Sequence, residues 1–358
     1  MRLLIAGGGT GGHVFPAIAI AEALLEKDKE AAILFVGTRQ GLESKILPKF
    51  QFSLKCISMR GFKGKSGAQK IFSLLGLPWA VLQSIWIILR FKPDVVLGVG
   101  GYASLPVLVA AFMMRKKRAI QEQNFSPGLA NRLLFPWVHK IFLSFEGSKQ
   151  FCKAPDAVVT GNPVRKKMVQ VPPEEDQKFS ILIFGGSLGA HAINRAMLEA
   201  LPYLSSLKEH IQIVHQTGKN DLRWVENGYA EQSWATATIV DFIYEMDQAL
   251  QKAQFVICRS GATTLAEVAL CGKACLFIPY PHAANNEQEL NAAMFLKQGA
   301  ARVLLNWKLD GQTLAKEIQW ATSHPRELEE MRKKIVTLSY PYAAQAIVQE
   351  LEGLSSRP

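Results

Sequence analysis

One pattern occurs twice in this chain and limits what it can fold into. Near the start, "RLLIAGGGTGG" joins an apolar run of strand length to a glycine cluster, and a helical stretch follows. In the second half "SILIFGGSLGA" repeats that order. In the first copy Gly7, Gly8, Gly9, Gly11 and Gly12 fill five of six positions, and His13 follows at once. Glycine is entropically costly, so such a cluster is kept where the chain turns tightly or something approaches the backbone closely. Strand, glycine loop and helix in that order open a doubly wound α/β domain. Two copies predict two similar α/β domains rather than one large sheet.

The length of 358 residues suits two domains, and 49% hydrophobic with 20% charged residues marks a globular chain. In the first half "RLLIAG", "AAILFVG", "DVVLGVG", "RAIQEQN" and "KIFLSF" read as strands, with helical stretches between several of them. "IQIVHQTG", "ATIVDFI", "FVICRSG" and "ACLFIPY" continue the pattern in the second half. Alternation of this kind gives parallel sheets covered by helices. "KKMVQVPPEEDQKF" carries Pro172 and Pro173 and reads as a linker. Cys56, Cys152, Cys258, Cys271 and Cys275 are odd in number and form no CxxC pair. They predict reduced thiols in a cytosolic protein, and no signal peptide is expected before the first strand.

Charge is unevenly placed. Residues 1–160 hold 21 Lys and Arg against 9 Asp and Glu, a net of +12, whereas the remainder carries −1. A basic first half predicts an anionic partner there, and nucleic acid, an anionic membrane and a phosphorylated substrate all qualify. Residues 71–91, "IFSLLGLPWAVLQSIWIILRF", are the most apolar stretch and approach the ~20 residues of a membrane span. Gly76, Pro78, Gln83 and Ser84 interrupt it, and lysines and arginines flank it. The preferred reading is an amphipathic helix that dips into a membrane surface, with an ordinary buried helix as the alternative. Leu75, Trp79, Leu82 and Trp86 recur at helical spacing and would form the inserting face.

Gly7, Gly9 and Gly12 match the GxGxxG spacing, with amide groups at a helix start where anions are stabilised. The acid usual at the end of the second strand is missing, since "ILFVGTRQ" ends in Gly37, Thr38 and Arg39, which argues against NAD. His13 falls in the first helical turn, where the positive helix end keeps imidazole neutral. It reads either as a general base or as a ring that only hydrogen-bonds the loop. In "ICRSGATTLAEVAL", Ser260 and Gly261 turn the chain, and Thr263 and Thr264 open a helix with hydroxyls and free N–H groups. That is either a phosphate site or an ordinary helix cap. Glu267 lies one turn on and suits two vicinal ribose hydroxyls. Gln288 and Asn291 offer amides to sugar hydroxyls, Arg165 follows the turn in "GNPVR", and Glu122 and Asn124 lie past a strand's C-terminal end. No zinc pattern, P-loop, nucleophile elbow or Asp-x-Asp pair is present, so neither a metal nor a cofactor is expected.

Together "GGGTGGHVFPA", "PDVVLGVGGYAS", "QEQN", "GNPVR", "GGSLGA", "CRSGATTLAE" and "NNEQELNA" resemble the MurG family in order and spacing over nearly the whole chain. The resemblance implies a GT-B fold, α/β with two Rossmann-like doubly wound domains. Residues 1–162 with 341–358 would form an acceptor and membrane-facing domain, and residues 163–340 a UDP-sugar domain. It also implies inverting transfer of N-acetylglucosamine from UDP-N-acetylglucosamine to the 4-hydroxyl of lipid-linked N-acetylmuramyl-pentapeptide. The protein would then be peripheral, on the cytoplasmic face of the plasma membrane, serving cell-wall synthesis, cell shape and division. An undecaprenyl-diphosphate acceptor, an anionic membrane and other wall-synthesis proteins would be its partners, and nucleic acid would not. By the same resemblance Glu267 would bind ribose, and Ser187 with Ala262, Thr263 and Thr264 would hold diphosphate. Leu265 and Ala266 complete that stretch, Ile243 would read uracil through its backbone, and Gln288 would contact the sugar. Thr10, Gly11, Gly12, Asn124 and Arg165 also match positions that meet the donor. His13, with Glu122 next in line, would take the acceptor proton. Glu287 departs from the His or Gln often found before that glutamine.

Three alternatives stand beside this reading. A related lipid glycosyltransferase would share the donor site and differ in acceptor. A nicotinamide-dependent oxidoreductase would use both glycine loops but lacks the ribose acid. A non-enzymatic nucleotide-binding module would not need motifs in both halves.

Overall fold

The computed structural model describes residues 1–59, 76–152, 156–165 and 178–356. Most of the expected linker and Leu75 lie outside these residues. The chain divides into two units, Met1–Arg165 with Tyr340–Pro358, and Lys166–Ser339.

The first unit holds seven parallel strands: β1 Arg2–Ala6, β2 Ala32–Gly37, β3 Leu54–Cys56, β4 Val95–Gly98, β5 Lys117–Glu122, β6 Lys140–Leu143 and β7 Ala157–Val159. Their order is β3-β2-β1-β4-β5-β6-β7, so the winding reverses between β1 and β4. Helices α1 Gly11–Lys27, α2 Glu43–Ile46, α3 Leu77–Phe91, α4 Ser104–Met113 and α5 Leu129–Leu134 connect them. Side chains alternate across a strand, so a sheet covered on both faces needs apolar residues at every position. β1 shows this: Leu3 and Ile5 enter one core with α1, while Leu4 and Ala6 enter the opposite core with α3 and α4.

The second unit repeats the design with β8 Phe179–Phe184, β9 Ile211–Gln216, β10 Thr238–Val240, β11 Phe255–Cys258, β12 Ala274–Phe277 and β13 Arg302–Val303. The order is β10-β9-β8-β11-β12-β13, with its reversal between β8 and β11. The helices are α6 His191–Ala200, α7 Leu222–Glu231, α8 Met246–Lys252, α9 Ala262–Leu270, α10 Glu287–Lys297, α11 Gly311–Ser323 and α12 Pro325–Val336. The chain then returns at Tyr340, which packs on Gly161, and α13 Ala343–Ser355 packs on α1 of the first unit.

The apolar stretch resolves into α3, and among the described residues no helix is long and apolar enough to cross a membrane. Ala80, Val81, Ser84, Ile87 and Ile88 form its buried face. Trp79 is 59%, Leu82 57%, Trp86 52% and Leu89 57% exposed, so these are not the core residues that an ordinary buried helix would require.

Much of the first glycine cluster serves contacts within the protein. Glu43, buried at the start of α2, accepts from Gly9 N at 2.7 Å, Thr38 N at 2.7 Å and Thr38 Oγ1 at 3.0 Å. A Cβ on Gly8 would sit 2.3 Å from Glu43 Cδ, and one on Gly41 would sit 2.1 Å from Oε2. Gly7 meets Val99 and the Gly100 carbonyl just as closely, at 2.4 and 2.6 Å. The opening cluster therefore reflects a carboxylate and a neighbouring loop pressed against the backbone, as well as any ligand.

Gly8→Ala should consequently destabilise the protein by about 1–3 kcal/mol from overpacking, and φ of +145° adds strain to that. Gly353→Ala, in α13 with open space around it, should instead be neutral or stabilising by up to ~1 kcal/mol. Urea unfolding of both variants checks the contrast, and equal midpoints would contradict it.

Candidate active site

In an open α/β sheet the crevice for ligands lies beyond the strand C-termini where the winding reverses. In the first unit that place is framed by the loops after β1 and β4. Gly101, at φ +80°, lets that loop meet Gly8 O, since a Cβ there would lie 2.3 Å away. Ser104 Oγ ties the loops together by donating to Ala6 O at 2.9 Å. Thr10 is the exposed N-cap of α1 and makes no side-chain cap bond. Gly11 and Gly12 follow, so the first-turn amides of α1 lie at this reversal.

His13 is half-buried in that first turn. Its ring lies on the backbone of Gly100, where a Cβ would be 2.9 Å from Nδ1. Nδ1 is 3.1 Å from Gln123 Oε1. Loss of water around the ring lowers its pKa below the ordinary 6.5, against the upward pull of Gln123, the Val99 carbonyl and the Glu43 charge. The ring is therefore neutral near pH 7, as a base must be.

Glu122 is placed differently from a poised base. It is buried, and its oxygens accept from Asn124 N at 3.0 Å, Gly128 N at 3.1 Å and Asn131 Nδ2 at 2.8 Å. The carboxylate folds the loop after β5 and holds Asn124 at its edge. Arg165 is half-buried, with its guanidinium 4.9 Å over the ring of Phe15 on α1. It therefore lies beside the helix that carries His13.

In the second unit the reversal lies between the loops after β8 and β11. The loop after β8 carries Gly186 at φ +92° and Gly189 at φ +76°, with Ser187 exposed between them. Gln216 Nε2 holds Gly186 O at 2.7 Å, and a Cβ on Gly189 would meet Thr217 O at 1.8 Å. Behind it Asn194 Nδ2 donates to Thr217 O at 2.9 Å and to Asp221 Oδ2 at 2.8 Å. Its Oδ1 faces His215 Nε2 at 3.1 Å, and burial pushes His215 down to about 3, so that ring is a neutral structural partner.

After β11, Gly261 is an extended N-cap without a side-chain bond, and Ala262, Thr263 and Thr264 form the first turn of α9. No acid stands in that turn, which keeps the positive helix end available to an anion. Leu265 follows in the same turn. Its side chain is buried and its N–H donates to Gly261 O at 3.0 Å, so it offers a ligand no group of its own there. Ala266 is half-buried and Glu267 is buried one turn inside the helix. Ile243 is half-buried in the loop between β10 and α8.

Gln288 joins the same region. Ser260 Oγ donates to its carbonyl at 2.8 Å, and its Oε1 accepts from Tyr280 N at 3.0 Å. Asn291 is spent on structure, with Nδ2 donating to Ser260 O at 3.3 Å. Glu287 lies in the first turn of α10, where the helix dipole stabilises an acid. Among the described residues no three His, Cys, Asp or Glu side chains are grouped to hold a metal ion.

Comparison with known proteins matches both units. The glycosyltransferase family 28 N-terminal domain matches residues 3–143, and the family 28 C-terminal domain matches residues 180–347. The chain is 46% identical over 357 residues to the UDP-N-acetylglucosamine–N-acetylmuramyl-(pentapeptide) pyrophosphoryl-undecaprenol N-acetylglucosamine transferase of Geotalea uraniireducens, covering 98% of each chain. It is 45% identical to the protein of that name from Thermodesulfovibrio yellowstonii, covering 100% of each. Among solved structures, Acinetobacter baumannii MurG superposes with a TM-score of 0.77 at 29% identity, covering 98% of this chain and 99% of that one. A UDP-GlcNAc 2-epimerase from Neisseria meningitidis gives 0.70 at 16% identity, covering 99% and 100%, a likeness of fold alone. Two doubly wound units with these matches make the fold GT-B. The chain belongs to glycosyltransferase family 28 and, within it, to the MurG family.

Proposed function

We propose that this protein transfers N-acetylglucosamine from UDP-N-acetylglucosamine to the 4-hydroxyl of lipid-linked N-acetylmuramyl-pentapeptide. The observation that carries this reading is identity of about 45% along the whole chain to transferases named for that reaction. The geometry of the two reversal points fits it. Each has a helix start at its reversal point, and in the first His13 stands in that opening turn as a neutral ring.

In this reading the second unit holds the donor. Ser187 and the amides and hydroxyls of Ala262, Thr263 and Thr264 take the diphosphate, while Glu267 binds the ribose. Ile243 reads the uracil through its backbone, and Gln288 Nε2 reaches the sugar. In the first unit, Thr10, Gly11, Gly12, Asn124 and Arg165 also meet the donor. His13 Nε2 removes the proton from the acceptor 4-hydroxyl as that oxygen attacks the sugar C1. The bond from C1 to the UDP oxygen breaks, and its electron pair leaves on the diphosphate, where helix-start amides stabilise the charge. One in-line displacement inverts the α-linked donor to a β product.

Donor binding and chemistry separate in two variants. Glu267→Ala should lose about 1.5–3 kcal/mol of charge-assisted bonding, or roughly 10- to 150-fold in donor affinity. His13→Ala should lower kcat by ~10²-fold with much less change in donor KM. Calorimetric binding of UDP-N-acetylglucosamine and steady-state kinetics check both. Wild-type donor affinity in Glu267→Ala, or near-full kcat in His13→Ala, would contradict the assignment.

The acceptor's lipid brings the enzyme to a membrane, and we place α3 at that surface. Trp79, Leu82, Trp86 and Leu89 form an exposed apolar face, and the Arg90 guanidinium lies 4.6 Å over the Trp86 ring. Phe112 and Met113 at the end of α4 and Leu129 and Leu133 on α5 are exposed too. The net charge of +12 over residues 1–160 favours an anionic leaflet, with each cation near the surface contributing ~1 kcal/mol. Replacing Trp79 and Leu82 by Ser should weaken flotation with anionic vesicles while leaving the melting temperature within a few degrees. A loss of several kcal/mol in stability, as core truncation causes, would contradict this surface.

A further inference from the structure

Gln123 is buried at 2% exposure and lies just past the end of β5. Its Nε2 donates to Val99 O at 2.8 Å and also to Gln121 Oε1. Gln121 Nε2 in turn donates to Asn162 Oδ1 at 3.2 Å. An amide nitrogen has two hydrogens, and both of those on Gln123 are committed to carbonyl oxygens. Turning the amide over would set its oxygen against Val99 O, a main-chain acceptor that cannot turn with it, in a buried place. Of this amide, Oε1 is therefore the atom presented to His13, 3.1 Å from Nδ1, and the Val99 carbonyl that also acts on the ring is likewise an acceptor. An oxygen can only accept, so the hydrogen lies on Nδ1, and Nε2 carries the lone pair.

We propose that Gln123 is a positioning residue that fixes His13 in the Nδ1–H tautomer, leaving Nε2 as the proton-accepting nitrogen. This rests on the reading of His13 as the base. The amide chain of Gln123, Gln121 and Asn162 does for the ring what a carboxylate does in other catalytic histidines, without adding a negative charge. When Nε2 takes the proton, the resulting cation keeps its Nδ1–H bond, so the ring need not turn during transfer.

The test has an arm independent of catalysis. In protein labelled with ¹⁵N-histidine, long-range proton–nitrogen correlation at neutral pH reports which ring nitrogen is protonated. The His13 signal is identified by its loss in His13→Ala. A protonated Nδ1 and an unprotonated Nε2 are expected, and the reverse tautomer would overturn the proposal whatever the base is. In kinetics, Gln123→Leu should lower kcat about 10- to 100-fold, as loss of a ring-orienting partner does, with donor KM changed less than threefold. In the His13→Ala background the same substitution should leave kcat unchanged, because the two residues act as one unit. An equal loss in both backgrounds would overturn it, since a merely structural role predicts that additivity. If instead His13→Ala keeps full kcat while Nδ1 is protonated, the base reading fails and the tautomer assignment stands.

Discussion

The bond from Gly9 N–H to the buried carboxylate of Glu43 is the contact on which the geometry of the first site rests. Glu43 also takes both donors of Thr38, so one side chain joins the loop after β1 to the end of β2. A carboxylate at this depth is tolerable because its oxygens accept three hydrogen bonds. The glycines around it leave room for it. With the loop fixed this way, α1 starts at a set place and His13 meets Gly100 and Gln123. The second unit fixes its loop with amides and a neutral imidazole, backed by the Asp221 carboxylate. Gln216 holds Gly186, and Asn194 with His215 holds the turn at Thr217.

The two loops differ in where the negative charge stands: Glu43 bonds the loop itself in the first unit, whereas in the second Asp221 lies behind Asn194. In the first unit the Glu43 charge is spent on three donors, and its residual effect on His13 is outweighed by loss of solvent around the ring. The orienting partner of His13 is an amide, so it sets the tautomer without holding the ring protonated.

The doubled strand, glycine loop and helix pattern was sufficient to read the two doubly wound sheets, and every long central strand was legible from its apolar run. β3, β7 and β13 were not: they are two or three residues long at sheet edges, and unlike the equally short edge strand β10 they lack a longer apolar run around them. α3 was legible as a helix but not in its orientation, since spacing names a face without saying what covers it. Glycine density pointed to close approach, yet Gly8 and Gly41 approach Glu43, which lies far along the chain from Gly8 and carries no motif of its own. Gln123 stands within "QEQN" between Glu122 and Asn124, with no motif of its own to single it out. Alternation along an extended strand puts Gln121 and Gln123 on one side, and that was the available signal.

The central claim is that a GT-B chain of this family joins a sugar to a lipid-linked acceptor. The most direct measurement follows UDP-N-acetylglucosamine labelled in the sugar, incubated with the protein and a short-chain lipid-linked N-acetylmuramyl-pentapeptide. The account predicts that label moves to the acceptor in a β-linkage, with one UDP released for each sugar transferred. Label that stays on UDP as a 2-epimer would contradict it, as would label that moves only to diacylglycerol or appears only as free sugar.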